Sequence, residues 1–233
     1  MTSGFEGGEA RRRALVALVM VAPVPSLAVA AAMIVAPGPT GQTLFLAAKI
    51  WLIVAPAGWH LLVERQPLSW SPTDRGALAV GLVTGLAAAA VIGLTAIEAG
   101  VFRVDVTALA GVVDTMGLGT RHGYLLAAAG WTFGNSLMEE YVYRWFVLTR
   151  CERLMRPALA VLASATIFTV HHVIALSTYL PWGLTTVASL GVFLGGALWA
   201  ALYRRTRSIW PAWVSHVLAD AAIFTVGWFL LFG

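Results

Sequence analysis

Seven apolar runs of about twenty residues follow one another along this chain, at about 14–36, 42–63, 76–97, 122–149, 157–179, 184–203 and 208–231. A run of that length is what an α-helix needs to cross a hydrocarbon core of ~30 Å. Within lipid, only helices and closed barrels satisfy their own backbone polar groups. The pattern therefore predicts an all-α fold: a polytopic transmembrane helical bundle of about seven spans, forming one domain over residues 1–233. Charged residues make up 11% of the chain, against about 25% in a soluble domain. The net charge of +4 reads as membrane topology. A nucleic-acid partner is not expected, because the arginines sit in short clusters between apolar runs. The single cysteine, Cys151, cannot form an internal disulfide.

The arginine-led N-terminus resembles a signal peptide. The apolar run from Ala14 to about Ala36 is long enough to be a retained first span, which is the preferred reading. Arginines on alternating sides of the spans number eleven against two. Arg11, Arg12, Arg13, Arg65, Arg75, Arg150, Arg153, Arg156, Arg204, Arg205 and Arg207 face Arg103 and Arg121. This bias predicts an integral, multi-pass protein of a bacterial-type cell membrane, with its N-terminus cytoplasmic and its C-terminus external. Prolines Pro23, Pro25 and Pro56 fall inside spans, where membrane helices tolerate them. Gly81–Gly85 and Gly191–Gly195 are candidate sites of close helix approach. Residues 101–120 read as a short interfacial helix or a loop.

Ionisable groups inside spans are costly and commonly functional. Here they are Lys49, His60, Glu139, Glu140, Arg144, His171, His172, His216 and Asp220. Lys49 and His60 lie toward the ends of the second span and read as snorkelling side chains. The other seven fall on the fourth, fifth and seventh spans. Counting 1.5 Å per residue from the flanking arginines puts Glu139 at ~16 Å, His216 at ~14 Å, Asp220 at ~20 Å and His172 at ~24 Å. All are within the apolar slab, which supports a shared cavity. Glu140 and Arg144 are i and i+4, so they can pair. Glu139 points ~100° away from Glu140, with Asn135 one turn before it on its own face. Glu139 is thereby left without a cation. A carboxylate in a dry site with no cation is able to act as a base near neutral pH. His216 and Asp220 are again i and i+4, and a carboxylate there can fix an imidazole's orientation. His171 and His172 point in different directions, so only one is expected to face the other helices.

Three stretches, each on its own span, then stand out in order: "EEYVYR" (Glu139–Arg144), "FTVHH" (Phe168–His172) and "HVLAD" (His216–Asp220). They match EExxxR, FxxxH and HxxxN/D, and the sequence from about 134 to 223 resembles the CPBP family of intramembrane proteases. That family includes CAAX prenyl endopeptidases and bacteriocin-processing or immunity proteins. The resemblance implies an endopeptidase that hydrolyses a peptide bond of a membrane-associated protein or peptide substrate. It implies that Glu139 and His172 activate a water, that His216 and Asp220 form the oxyanion site, and that Glu140 and Arg144 support the architecture. The phenylalanine of the second motif falls on Phe168, which selects His172 over His171. Many members carry Asn where this chain has Asp220. An ionised Asp cannot donate to an oxyanion, so Asp220 is either protonated or orients His216. No cofactor is expected. The alternative is a zinc protease with Glu139, His172 and His216 as ligands and an open fourth position. No "HExxH" is present, and a ligating Glu139 would not be free as the base. Readings from another class are a non-catalytic immunity or scaffold protein, or a carrier, which would also bury such groups near the midplane.

Overall fold

The computed structural model describes residues 3–101, 105, 107–115 and 119–233. Among the described residues its regular elements are all helical, as the apolar runs require. Helix α1 (Ser3–Val21) stops just before Pro23, and α2 (Val24–Ala30) resumes with a proline in its first turn and runs into a π-helical turn at Ala31–Val35. Proline lacks the N–H that an unbroken helix needs, so the α-helical pattern is interrupted between Val21 and Val24. Helix α3 (Pro39–Gly58) begins on a proline and carries Pro56 inside it. It continues as a π-helical turn at Trp59–Val63. Helix α4 (Arg75–Glu98) is capped by the Asp74 side chain, which accepts from the Ala77 N–H at 2.9 Å. A short helix α5 (Thr107–Thr115) occupies the third-to-fourth connection. Arg103, on the sparse side of the arginine tally, lies outside the described residues.

The fourth span differs from the others. Helix α6 (Arg121–Ala129), a π-helical segment Gly130–Asn135, α7 (Ser136–Glu139), a second π-helical segment Glu140–Leu148 and α8 (Thr149–Leu154) follow without a break. The bundle closes with α9 (Pro157–Leu176), α10 (Trp182–Thr206) and α11 (Ile209–Phe232). Among the described residues, six helical stretches are long and apolar enough to cross a membrane. The protein is an integral, multi-pass membrane protein. The expected fourth span is helical from Arg121 to Leu154 but is interrupted by π turns.

That fourth rod is the centre of the bundle. Val142, Phe146, Val147 and Leu148 are fully buried, and parts of the rod pack on α1, α3, α9, α10 and α11. Lipid tails are as apolar as leucine, so burial from water does not hold such helices together; close contact and polar ties do. Gly81 and Gly85 let α4 lie directly on α11, since a methyl at Gly85 would sit 2.9 Å from Ser215 Cα. The Gly191–Gly195 expectation does not hold in the same way. Gly191 faces open space, and the close approach is made by Gly196, where a methyl would meet the Phe168 ring at 3.0 Å. Gly196 thereby seats α10 against α9 beside the second motif.

Ion pairs tie the arginine-rich end. Glu64 meets Arg150 and Arg153, both at 2.6 Å, and Glu152 meets Arg204 at 2.7 Å and Arg207 at 2.8 Å. Burial pushes the Glu64 carboxyl up, but the two guanidinium groups outweigh it and hold it below the usual carboxylate range. At the opposite end Arg121 donates to the Phe232 carbonyl at 3.3 Å. The arginine clusters after the second, fourth and sixth spans therefore share one end of the bundle, and Arg121 and the end of α11 share the other.

Candidate active site

All the charged motif residues of the fourth, fifth and seventh spans converge at one level of the bundle. Glu139 closes α7 and is 6% exposed. Its Oε1 accepts from Asn135 Nδ2 at 2.9 Å and lies 3.8 Å from His171 Nε2. Its Oε2 lies 3.6 Å from His216 Nε2. Glu140 opens the second π-helical segment and is completely buried. Its Oε1 accepts from His216 Nδ1 at 2.9 Å, and its Oε2 is 3.3 Å from Arg144 Nε.

The two adjacent glutamates thus reach the same imidazole from opposite sides. Helical spacing sets them ~100° apart, and the backbone is ordinary α-helix at both, φ −68°, ψ −40° at Glu139 and φ −62°, ψ −42° at Glu140, so the His216 ring is received between two diverging side chains. Glu140 therefore does two things. It meets Arg144, as the i,i+4 spacing predicts, and it also orients His216. A carboxylate only accepts, so Nδ1 carries a hydrogen and Nε2 is the nitrogen turned toward Glu139. Asp220 Oδ1 lies 3.6 Å from that same Nε2. Of the two roles left open for Asp220, orienting His216 through Nδ1 belongs to Glu140 instead.

Trp199 fixes His216 from a third direction. The two rings stack at 3.7 Å between centroids and 17° between planes, and Trp199 Nε1 donates to Ser215 Oγ at 3.1 Å. Arg144 is fully buried, and none of its nitrogens has a hydrogen-bond acceptor among the described residues. Its guanidinium sits instead among rings, 4.6 Å from the centroid of Phe168, 5.3 Å from Trp199 and 5.8 Å from Tyr143. Cation–π contacts of this kind suit a delocalised, weakly hydrated guanidinium better than an ammonium.

The expectation that only one of His171 and His172 faces the other helices does not hold. His171 is buried, stacks on Tyr143 at 9°, and has its Nδ1 3.1 Å from the Tyr143 hydroxyl. His172 bonds through Nδ1 to the Phe168 carbonyl at 3.0 Å, one turn back in its own helix. A carbonyl only accepts, so that nitrogen carries the hydrogen and Nε2 keeps its lone pair. The two rings lie 4.1 Å apart. Glu139, His171 and His172 each offer a donor atom within 4.8 Å of the others. The motif register singles out His172, but the imidazole in direct reach of Glu139 is His171. Both fit because Glu139 comes to the gap between the two imidazoles.

The metal-ligating alternative also changes membership. Glu139, His171 and His172 come together as possible ligands, while His216 of the expected set gives Nδ1 to Glu140 and turns Nε2 to Glu139 Oε2 at 3.6 Å. Three further residues belong to the site. Tyr143 is one turn after Glu139, a spacing that was available to find it. Trp199 lies on α10, whose charged residues Arg204 and Arg205 are confined to its last turn, so no ionisable group near its depth marks it. Lys49 was expected to snorkel toward the interface. It is instead half-buried and donates a short hydrogen bond to Asn135 Oδ1. His60 does stay at the span's end, with its Nε2 3.0 Å from the Pro67 carbonyl.

A buried layer of carboxylates and imidazoles thus lies inside a multi-pass helical bundle. Comparison with known families finds a match over part of the chain: residues 121–222 match the model of the Rce1-like, type II CAAX prenyl endopeptidase family. The match spans all three motifs, and the resemblance read from them stands. No curated protein and no solved structure matches the chain.

Proposed function

We propose that this protein is an intramembrane endopeptidase that cleaves a membrane-associated protein or peptide with water activated by Glu139. The observation that carries the reading is the placement of Glu139, with His171 at 3.8 Å on one side and His216 at 3.6 Å on the other, in a buried layer. A bilayer core offers no water, base or oxyanion donor, and amide hydrolysis needs all three. Glu139 takes a proton from a water held against the imidazoles of α9. The resulting hydroxide oxygen bonds to the scissile carbonyl carbon. Glu139 then returns that proton to the leaving nitrogen as the C–N bond breaks. The developing oxyanion faces His216 Nε2 and Asp220. For Nε2 to donate while Nδ1 donates to Glu140, the ring carries both hydrogens. The carboxylates of Glu140 and Glu139 flank that charge, and Asp220, in its protonated form, is the second donor to the oxyanion.

The reading is tested by reconstituting the protein with membrane-anchored peptides and identifying new termini by mass spectrometry. New termini made by the parent protein and missing with Glu139→Gln support it. Unchanged peptides with the parent protein, or equal cleavage by both, would count against it. Asp220 carries its own expectation. Asp220→Asn supplies a permanent N–H donor and should keep turnover within a few-fold of the parent, whereas Asp220→Ala should lose roughly 10²-fold, as removal of an oxyanion donor does. Equal activity of the Asn and Ala variants in single-turnover assays would remove Asp220 from the oxyanion site.

A second reading is a zinc-dependent hydrolase, favoured by the grouping of Glu139, His171 and His172. One carboxylate and two imidazoles are donors zinc accepts. Tetrahedral ligands at ~2.0–2.2 Å from the metal sit roughly 3.4 Å apart, close to the 3.8 Å between Glu139 and His171. Bound there, zinc would supply an acidified water and polarise the carbonyl. The metal-free reading is preferred because it leaves Glu139 free as the base. Stoichiometric zinc in the purified protein, with activity lost to chelator, would reverse the preference.

We further infer that the arginine-rich end faces the cytoplasm of a cell membrane, supported by the eleven-to-two distribution of arginines and by their clusters sharing one end. A reporter active only outside the cytoplasm, fused after Gly233, is expected to give signal. Silence there, with signal from the Arg150–Arg156 connection, would invert the assignment.

A further inference from the structure

The first three spans lie outside the stretch matched by the family model, yet the second of them reaches the site. Lys49 stands ten residues into α3, ~15 Å from its Pro39 end, which is near the middle of a ~30 Å core. An ammonium at that depth is costly unless it is paired. Its Nζ lies 5.1 Å from the Phe45 ring centroid and donates to Asn135 Oδ1. Asn135, the last residue of the segment Gly130–Asn135, donates its Nδ2 to Glu139 Oε1 at 2.9 Å.

The direction of this chain is forced at both ends. An ammonium has three donors and no acceptor, and a carboxylate has acceptors only. The Asn135 amide must therefore show its oxygen to Lys49 and its NH₂ to Glu139. Rotated by half a turn, it would point oxygen at carboxylate and NH₂ at ammonium, two repulsive contacts. Without Lys49 the amide loses one of these two constraints, and Glu139 Oε1 loses a fixed donor. Oε1 is the oxygen on the His171 side, while Oε2 faces His216. A carboxylate free to turn presents neither at a set angle.

We propose that Lys49 is a positioning residue for the hydrolysis: it locks the Asn135 amide, which in turn aims the carboxylate of Glu139. The inference rests on Glu139 acting as the base. It also assigns α3 a role in the site.

The test uses full-length protein in lipid vesicles with a cleavable membrane-anchored peptide, and compares Lys49→Met, Lys49→Arg, Asn135→Ala and the Lys49→Met/Asn135→Ala double variant. Lys49→Met is expected to lower kcat by roughly 10- to 100-fold, the worth of one hydrogen bond to a charged group, with KM changed little. Lys49→Arg keeps the charge and the donors and should recover most of that loss. The double variant should be no slower than Asn135→Ala alone, because the lysine acts only through the amide. Melting temperatures should show the same non-additivity, a readout that needs no turnover. Additive effects, an unchanged kcat for Lys49→Met, or a loss confined to KM would overturn the proposal while Glu139-dependent turnover persisted. Turnover indifferent to Glu139→Gln would instead overturn the peptidase reading, and the positioning role with it. If Lys49→Met does not fold, Lys49→Gln replaces it, with a smaller loss of kcat expected and the same rescue by arginine.

Discussion

Glu140→Gln is expected to lower the melting temperature in detergent by on the order of 10 °C. Glu140 and Arg144 are both fully buried and 3.3 Å apart. Arg144 has no hydrogen-bond acceptor of its own among the described residues, so the carboxylate is its counter-charge, and the rings of Phe168, Trp199 and Tyr143 are its remaining company. Removing one partner of a buried pair costs about 3–5 kcal/mol because the other charge is stranded, and each kcal/mol moves the melting point of a chain this size by roughly 2–4 °C. The amide oxygen of Gln can still accept from His216 Nδ1. Molecules that do fold should therefore keep reduced but measurable turnover. Thermal unfolding and specific activity per folded molecule, measured on one preparation, check both halves.

Glu139→Gln is expected to do the opposite. Its cation lies one residue removed, through Asn135, and its own contacts are an amide and two imidazoles. A glutamine there keeps the volume and the acceptor toward Asn135, and Glu140 stays as the carboxylate bonded to His216. The variant should fold at least as well as the parent. It should lose about 10²–10⁴-fold in rate, the contribution of a positioned general base that an amide cannot replace.

Much of this site is legible in the chain before any coordinates. Glu139, Glu140 and Arg144, the His171–His172 pair, His216 and Asp220 stand out because apolar spans contain so few ionisable groups, and three of those spans must bring them together or expose them to lipid. The Glu140–Arg144 contact follows from helical spacing alone. What the spacing does not reveal is where a neighbouring helix places its ring. Helix α11 sets His216 between the two glutamates and so gives Glu140 a place in the site. A count at 3.6 residues per turn instead assigns the orienting role to Asp220. His171 follows the same logic: motif register selects one ring of the pair, but both rings bring a nitrogen within 4.8 Å of a Glu139 oxygen. Lys49 is misread for a simpler reason. The helix starts at Pro39, before the apolar run becomes obvious, so a lysine that looks near a span's end is near its middle. Trp199 and Gly196 carry no charge to mark them, and their roles depend on which neighbour each one meets. The fold itself is more transparent, since span length and the apolar pattern dictate helices across lipid. The interruption of the fourth span requires the neighbouring helices to explain it.

The central claim is that Glu139, and not its neighbour, activates the water. The most direct test is the single-turnover rate of peptide cleavage, per folded molecule, for Glu139→Gln and Glu140→Gln side by side in the same vesicles. The expected result is near-complete loss of turnover with Glu139→Gln in well-folded protein and partial activity with Glu140→Gln in less stable protein. Retained cleavage by Glu139→Gln, with activity abolished in folded Glu140→Gln, would contradict the account and make Glu140 the base.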